Sequence, residues 1–258
     1  MIRMPFNSSR ARSGFTLVEL SIVLVIIGLL LGGVLIGKDM IESAKLRKMI
    51  ADVESYRAAT AVFEEKYNAL PGDMSNATQF WGTDAACPNS ATTGTCNGNG
   101  NAQITNGVPG EPSFVWQHLA RAGLIKGNYM PNWTDGTITP GLDAAPTPYP
   151  GTLISMFYIG VQSGAAAHYD GSYDNVLYAG GTTYTVPGWF TGGFSCDRIT
   201  MIDQKMDDGK PAVGNVVLYS RLSGCTSNTA ANAGLSADYV PNGSGLSVIV
   251  FKLGRISS

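Results

Sequence analysis

The sequence predicts an α+β protein in which a long N-terminal helix packs on an antiparallel β-sheet. Three observations support this class. Residues 15–37 form an apolar run whose single charge is Glu19. Residues 38–70 carry 12 charges and a largely apolar stripe at every third or fourth position, which is typical of an amphipathic helix. Residues 71–258 alternate short apolar runs with turns rich in Gly and Pro, which is typical of antiparallel strands.

The chain begins with a basic segment, residues 1–14, which contains three arginines and no acidic residue. The apolar run that follows has 23 residues. As a helix rising about 1.5 Å per residue it spans roughly 34 Å, enough to cross a hydrocarbon core of about 30 Å. A secretory signal peptide would have a shorter apolar region and an A-x-A-like cleavage site behind it, and a buried core helix that is apolar all round would need a larger protein around it. We therefore predict a single membrane-spanning helix over residues 15–37.

Glu19 is the anomaly in this run. An ionised carboxylate in hydrocarbon costs about 2.5 to 3.5 kcal/mol or more, so an intramembrane acid is by default a functional residue. The simpler alternative is a shallow position in the headgroup region. That alternative does not explain why the segment before the run is basic and ends in Ser13-Gly14.

The segment around Glu19 resembles a known processing signal. Residues 13–28 are SGFTLVELSIVLVIIG, and this order of basic leader, Gly, Phe, Glu and apolar run resembles the class III signal of type IV prepilins and type II secretion pseudopilins. The resemblance implies that a prepilin peptidase removes the leader by cutting between Gly14 and Phe15 and methylates Phe15. It also implies that Glu19, the fifth residue of the mature chain, acts in assembly with neighbouring subunits.

The same resemblance implies a location and a set of partners. The mature chain would be a single-pass inner-membrane protein with its head in the periplasm, and later part of a periplasmic or extracellular filament. Its partners would be the prepilin peptidase, other pilin or pseudopilin subunits, and an assembly platform with its ATPase. Charge alone leaves the orientation open, because basic residues flank both ends of the apolar run. Many members of the family carry a Pro late in this run, whereas this chain has none between Pro5 and Pro71.

Residues 38–70 are predicted to continue the same helix as far as the soluble head, residues 71–258. Pro71-Gly72 is a stop signal. A coiled coil is the alternative, but no second helical strand is visible in the sequence. The predicted stripe consists of Leu46, Met49, Val53, Tyr56, Thr60, Phe63, Tyr67 and Leu70.

The head is predicted to contain antiparallel strands and two short helices. One helix covers residues 113–122, with Ser113 as its cap and Gly123 at its end, and the other covers residues 197–206. Residues 97–101, NGNGN, are predicted to be a surface loop. Residues 70–82 and 203–214 look like segments of pilin-like proteins and support a pilin-like head. The candidate strands are residues 153–161, 176–178, 182–186, 215–222 and 246–253.

Four cysteines occur, Cys87, Cys96, Cys196 and Cys225. None forms a C-x-x-C pair, so a zinc site is not favoured. An even count outside the cytoplasm suggests two disulfides, and three pairings are possible. We prefer Cys87–Cys96 with Cys196–Cys225, which closes the shortest loops, and pilin heads often staple a C-terminal loop in this way. The alternative is four free thiols in a cytoplasmic domain.

Little in the composition points to catalysis. The net charge of -2 leaves no basic surplus for nucleic acid, and no hydrolase elbow, phosphate loop, dinucleotide or zinc-protease motif occurs. The only histidines are His118 and His168, and His118 is predicted to be a surface or half-buried residue. We expect no enzyme activity and no cofactor, with calcium as the single candidate.

The calcium hypothesis concerns Asp203, Asp207 and Asp208, which precede Gly209. Their spacing departs from the D-x-D-x-D-G pattern of calcium loops. The alternative is a helix end followed by a tight Asp-Gly turn, and it is the favoured one.

The function predicted from the sequence is a structural subunit that assembles into a type IV pilus-like filament or a secretion pseudopilus. The alternative is a membrane-tethered minor pilin that acts as a tip adhesin or as a module binding DNA or a surface. The sequence does not choose between a pilus, a secretion machine and a DNA-uptake machine.

Overall fold

The structure is a computed structural model that describes residues 14–83, 87, 95–105, 110–131, 136–163, 169–185, 189–220, 223–240, 243 and 245–253. Four predicted features therefore lie outside the described residues: the basic leader before Gly14, His168, and the ends of two candidate strands at Val186 and Leu222.

The first helix, α1, spans Leu17–Tyr67. It contains the boundary between two compact units, the first ending at Ala44 and the second beginning at Lys45. In the described part of the chain, α1 is the one helix that is long and apolar enough to cross a membrane. The boundaries predicted from the sequence after residues 14, 37 and 70 stay predictions.

The second half of α1 packs its predicted stripe on the core of the second unit. Leu46, Met49, Val53, Thr60 and Phe63 are buried, and the other stripe residues are partly buried against the same core. This confirms the amphipathic pattern.

The helix ends three residues before the predicted Leu70. Asn68 adopts a φ of 49°, in the left-handed region that Asn tolerates at helix ends. Its backbone N–H donates to the carbonyl of Glu64 at 2.8 Å, which closes the last turn of α1.

Three shorter α-helices and one 3-10 helix follow. They are α2 (Ala77–Trp81), α3 (Glu111–Arg121), α4 (Cys196–Met206) and η1 (Gly234–Ser236). The strands are β1 (Gly136–Thr137), β2 (Ala145–Pro146), β3 (Thr152–Tyr158), β4 (Val161–Gln162), β5 (Gly171–Ser172), β6 (Asn175–Gly181), β7 (Thr183–Thr185), β8 (Trp189–Phe190), β9 (Phe194–Ser195), β10 (Val216–Leu218), β11 (Leu246–Ser247) and β12 (Ile249–Lys252).

The main sheet has five antiparallel strands in the order β10, β12, β6, β3, β2. Strand β3 pairs with β6 along its full length, from Thr152 opposite Gly181 to Tyr158 opposite Asn175. The other edge of β6 pairs with β12. Smaller sheets join β1, β7 and β8, then β9 and β11, and then β4 and β5. The predicted α+β class, a long N-terminal helix with an antiparallel sheet, is confirmed.

The prediction that Ser113 caps α3 is wrong. The helix begins at Glu111 with Gly110 as its N-cap, and the Ser113 hydroxyl donates to the Gly110 carbonyl at 2.7 Å. Pro112 explains the earlier start, because proline is tolerated in the first turn of a helix.

The predicted end of α3 is confirmed. Gly123 has a φ of 74°, and its N–H donates to Ala120 O at 3.0 Å while the N–H of Leu124 donates to Leu119 O at 3.0 Å. These two bonds form a Schellman motif.

One large core holds the second unit together. It unites the α1 stripe, the face of α3 that carries Trp116 and Leu119, and the inner residues of β3, β6 and β12. A second, small core consists of Tyr169, Ala212, Ala233 and Ala237. These residues come from the segment before β5, the turn between α4 and β10, and the loop after β10.

Candidate functional site

The processing residues predicted from the sequence lie at the start of α1. Gly14 and Phe15 precede the helix, and Phe15 is 81% exposed. The backbone N–H of Thr16 donates to Glu19 Oε2 at 2.8 Å, and the N–H of Glu19 donates to Thr16 Oγ1 at 3.2 Å. This reciprocal pattern is a capping box. The carboxylate that the sequence assigns to assembly therefore also closes the first turn of its own helix.

The apolar part of α1 leaves its side chains uncovered. Large apolar residues are exposed all round the helix, among them Leu17, Leu24, Leu30 and Leu35. A soluble protein rarely presents so large an apolar surface, and an α-helix satisfies its own backbone hydrogen bonds in lipid. This segment is therefore built to be covered by a bilayer or by other apolar helices.

Asp203, Asp207 and Asp208 come together where α4 ends. Each offers one carboxylate oxygen, and these three oxygens lie within 4.8 Å of one another. Asp203 is buried, Asp207 is half-buried and Asp208 is exposed. Carboxylate oxygens are the ligands that calcium prefers, so this is the one arrangement in the described residues that could hold a metal ion.

Hydrogen bonds already organise these carboxylates within the turn. Asp203 Oδ2 accepts from the Tyr239 hydroxyl at 2.8 Å and Oδ1 accepts from Gly209 N at 3.3 Å. Asp207 Oδ2 accepts from Val216 N at 3.0 Å and also from Asn215 N. Asp208 Oδ1 accepts from Lys210 N at 2.8 Å. The helix end and Asp-Gly turn account for this geometry, and the calcium hypothesis stays a prediction.

The environment of Asp203 alters its protonation. Burial raises the pKa of Asp203 to about 7, hydrogen bonds from Tyr239 and Gly209 oppose this rise, and the carboxylates of Asp208 and Asp207 add to it. Burial also raises the pKa of the Tyr239 hydroxyl. Asp203 therefore exchanges its proton near neutral pH.

The structure contains two disulfides. Cys87 and Cys96 are joined with a Cα–Cα distance of 5.5 Å, and Cys196 and Cys225 with a Cα–Cα distance of 5.1 Å. Cys196 and Cys225 are fully buried in the main core. Their bond ties the start of α4 to the loop after β10. Gly243 packs against this disulfide so closely that a Cβ added at that position would lie 2.6 Å from Cys196 Sγ.

The prediction that His118 is a surface or half-buried residue is wrong, because its side chain is 0% exposed. Its ring stacks on Phe63 with centroids 6.0 Å apart. Burial lowers the pKa of His118 to about 4, against a weaker opposing effect of its bond with Cys96. The sequence shows α3 only as amphipathic and does not reveal that the helix is covered on several sides.

Sequence reasoning also missed two buried carboxylates, Asp73 and Glu111, which are 2% and 5% exposed. Asp73 accepts the backbone N–H groups of Gly100, Asn101 and Ala102 at 2.7 to 3.0 Å. Glu111 accepts the N–H groups of Asn99 and Thr105 at 2.9 and 2.8 Å. The predicted surface loop is thus held to the fold by hydrogen bonds to two buried carboxylates. Its run of Asn and Gly residues is the one sequence signal that could have indicated an unusual loop backbone with such contacts.

Comparison with known proteins agrees with the N-terminal part of this geometry. A family model described as the prokaryotic N-terminal methylation motif matches residues 9–35. The chain therefore carries the processing signal of type IV prepilins and pseudopilins, and the resemblance expected from the sequence is confirmed. The match ends within the apolar part of α1. No curated protein and no solved structure matches the chain.

Proposed function

We propose that the protein is a structural subunit, a pilin or pseudopilin, that is assembled into a type IV pilus-like filament or a secretion pseudopilus. The observation that carries this proposal is the matched signal at residues 9–35, which includes most of the apolar part of α1, whose side chains are exposed. Proteins with this motif are generally structural and not enzymatic.

In this proposal the prepilin peptidase cuts between Gly14 and Phe15 and methylates Phe15. The apolar part of α1 then anchors the mature chain in the inner membrane, with the head in the periplasm. Assembly replaces lipid by neighbouring apolar helices around this segment. An assembly platform and its ATPase supply the work of extracting each helix from the bilayer.

Glu19 acts in this assembly as a partner for the positively charged N-terminus of a neighbouring subunit. Methylation leaves the Phe15 amine basic, so it stays cationic. A subunit placed out of step would leave both charges unpaired in an apolar environment, which is strongly unfavourable. The pair therefore sets the register of the filament. Nothing in the described part of the chain supports the alternative of a tip adhesin or a DNA- or surface-binding module.

Mass spectrometry of the protein extracted from membranes tests the processing step. The expected N-terminal peptide begins with N-methylated Phe15 in cells that contain a prepilin peptidase, and with the leader in cells that lack it. Replacing Gly14 by a bulkier residue, as in Gly14→Val, should block cleavage and leave membrane insertion intact. An uncut N-terminus in peptidase-containing cells would contradict the proposal.

A further inference from the structure

The loop over residues 97–101 contains two consecutive Asn-Gly pairs, Asn97-Gly98 and Asn99-Gly100. Asn-Gly is the dipeptide most prone to deamidation, because Gly lacks a Cβ that would shield its backbone nitrogen. We propose that these two pairs form a latent deamidation site that the folded loop keeps closed, so that the subunit is modified there only when the loop opens.

The reaction needs a free backbone nitrogen. The Gly nitrogen attacks the side-chain carbonyl carbon Cγ of the preceding Asn, a bond between them forms, and the bond from Cγ to Nδ2 breaks. The nitrogen's proton leaves with the amide group as ammonia, and a cyclic imide remains. Water then opens the imide at one of its two carbonyls, which yields Asp or isoaspartate.

In the fold, both attacking nitrogens are committed to hydrogen bonds. Gly98 N donates to the carbonyl of Met74 at 2.9 Å. Gly100 N donates to the Asp73 carbonyl at 2.9 Å and to Asp73 Oδ1 at 2.7 Å. Asp73 is 2% exposed, so water does not readily replace these acceptors. Neither nitrogen can attack without first losing a bond to the segment that follows α1.

The side chains that would be attacked are also held. Asn97 Oδ1 accepts from Thr78 N at 2.9 Å, and its Nδ2 donates to Thr78 Oγ1 at 3.1 Å. Asn99 Oδ1 accepts from Asn101 N at 3.0 Å. Asn97 is therefore fixed on the first turn of α2, and Asn99 is fixed within the loop itself.

Isoaspartate would prevent the loop from closing again. It inserts an extra carbon into the backbone, whereas the loop backbone lies very close to the Asp73 segment. An ideal Cβ at Gly98 would lie only 2.4 Å from the Asp73 backbone. A chain that opens for long enough to form isoaspartate at these positions loses the contacts with Asp73.

Peptide mapping of the full-length chain in detergent tests the proposal. The folded protein and the protein unfolded in urea are incubated at the same mildly alkaline pH, and deamidation at Asn97 and Asn99 is followed by mass spectrometry. Because the folded loop must open before it reacts, we expect at least about a tenfold lower rate in the folded chain. A third Asn-Gly pair, Asn106-Gly107, is the reference for intrinsic reactivity: in the unfolded chain it should react at the same rate as the two pairs of the loop. Equal rates in folded and unfolded protein would overturn the proposal.

Two variants identify the contacts responsible. Asp73→Asn removes the charge that holds Gly100 N and should increase the rate at Asn99 severalfold. Asp143→Asn is its matched control, because Asp143 is similarly buried at 4% exposed and accepts a backbone N–H from Thr139 at 2.8 Å outside the loop. If both variants increase the rate at Asn99 equally, global unfolding and not loop opening controls the reaction, and the proposal fails.

A third variant, Thr78→Val, tests the site if Asp73→Asn does not fold. Thr78→Val removes the hydroxyl that accepts from Asn97 Nδ2, and it should increase the rate at Asn97 without changing the rate at Asn99. An unchanged rate at Asn97 would contradict the protective role of that contact.

Discussion

The imidazole of His118 accepts the backbone N–H of Gly72 through Nδ1 at 2.9 Å. Its proton is therefore on Nε2, which lies 2.8 Å from the carbonyl oxygen of Cys96. Only the neutral ring can make both bonds, because a charged imidazole carries a proton on each nitrogen. One histidine thus joins the turn after α1 to the segment that carries the Cys87–Cys96 disulfide.

This arrangement predicts that protonation of His118 destabilises the fold. The ordinary pKa of histidine is 6.5 and burial lowers the pKa of His118 to about 4, so between these values the unfolded chain binds the extra proton. The contribution to stability is fully present above pH 6.5 and is lost as the pH falls towards 4. It amounts to at most roughly 3 kcal/mol of unfolding free energy.

The measurement is urea unfolding of the detergent-solubilised protein at a series of pH values, compared with His118→Gln. The raised pKa of Asp203 has the opposite effect on the free energy of unfolding. The folded chain keeps the Asp203 proton up to a higher pH than the unfolded chain does, so this group favours the folded state as the pH falls. The difference between wild type and variant removes this contribution. We expect that difference to shrink as the pH falls below 6.5, and a difference independent of pH would contradict the prediction.

Glu19 is predicted to be needed for assembly but not for processing. Glu19→Ala and Glu19→Gln should be cleaved and inserted normally and should be depleted from filaments, because neither can pair with a neighbouring amine. Glu19→Asp should still be incorporated into filaments in part, because it keeps a carboxylate. The measurement is the ratio of protein in sheared filaments to protein in the membrane.

Thr16 provides the matched control for Glu19. Thr16→Ala removes the oxygen that accepts the Glu19 N–H and leaves the carboxylate in place, so it weakens the capping box alone. If Thr16→Ala reduces filament yield as much as Glu19→Ala, helix capping and not charge pairing explains the defect.

The two disulfides are predicted to differ in their contribution to stability. The bonded residues are 9 positions apart in Cys87–Cys96 and 29 apart in Cys196–Cys225. Because a disulfide restricts the unfolded chain more when it closes a longer loop, Cys196–Cys225 should add about 1 kcal/mol more to the free energy of unfolding than Cys87–Cys96 does. Burial of the Cys196–Cys225 sulfurs adds to this difference. Thermal unfolding of the two double Cys→Ala variants should therefore rank Cys196/Cys225 as the more damaging pair.

Peptide mapping without reduction checks the disulfides themselves. It should recover both linked peptides and no thiol that reacts with an alkylating reagent. Four reactive thiols in the native protein would contradict the pairing and the periplasmic location of the head.

The calcium hypothesis for Asp203, Asp207 and Asp208 is tested by the effect of calcium on stability. An ion that binds only the folded state increases the free energy of unfolding by about 2.7 kcal/mol when it is present at a hundred times its dissociation constant. The expected result is a rise in Tm with calcium that is absent in the triple Asp→Asn variant. Magnesium is the control, since it demands a stricter octahedral geometry. No rise in the wild type, or a rise that persists in the triple variant, would exclude the site.

The sequence by itself determined the features that depend on local pattern. The apolar run and the processing signal can be recognised from the order of residue types alone. The α1 stripe follows from the helical period, which places residues three and four positions apart on the same face of a helix. The end of α3 at Gly123 was predictable for the same reason, because only a residue that tolerates positive φ fits there. The main strands β3, β6 and β12 were located by their apolar runs, although their pairing order was not.

Only the tertiary structure decided which distant residues meet. His118 is buried because α1, Gly72 and Cys96 surround α3, and the pattern within α3 carries no record of them. Asp73 and Glu111 look like ordinary surface acids in the sequence, but the fold buries them under the loop at residues 97–105. Their carboxylates then find hydrogen-bond donors in the backbone N–H groups of that loop. Most of these contacts, such as those of His118 with Gly72 and of Asp73 with Gly100, join segments that lie far apart in the chain. Local periodicity does not encode such contacts, and the packed fold does.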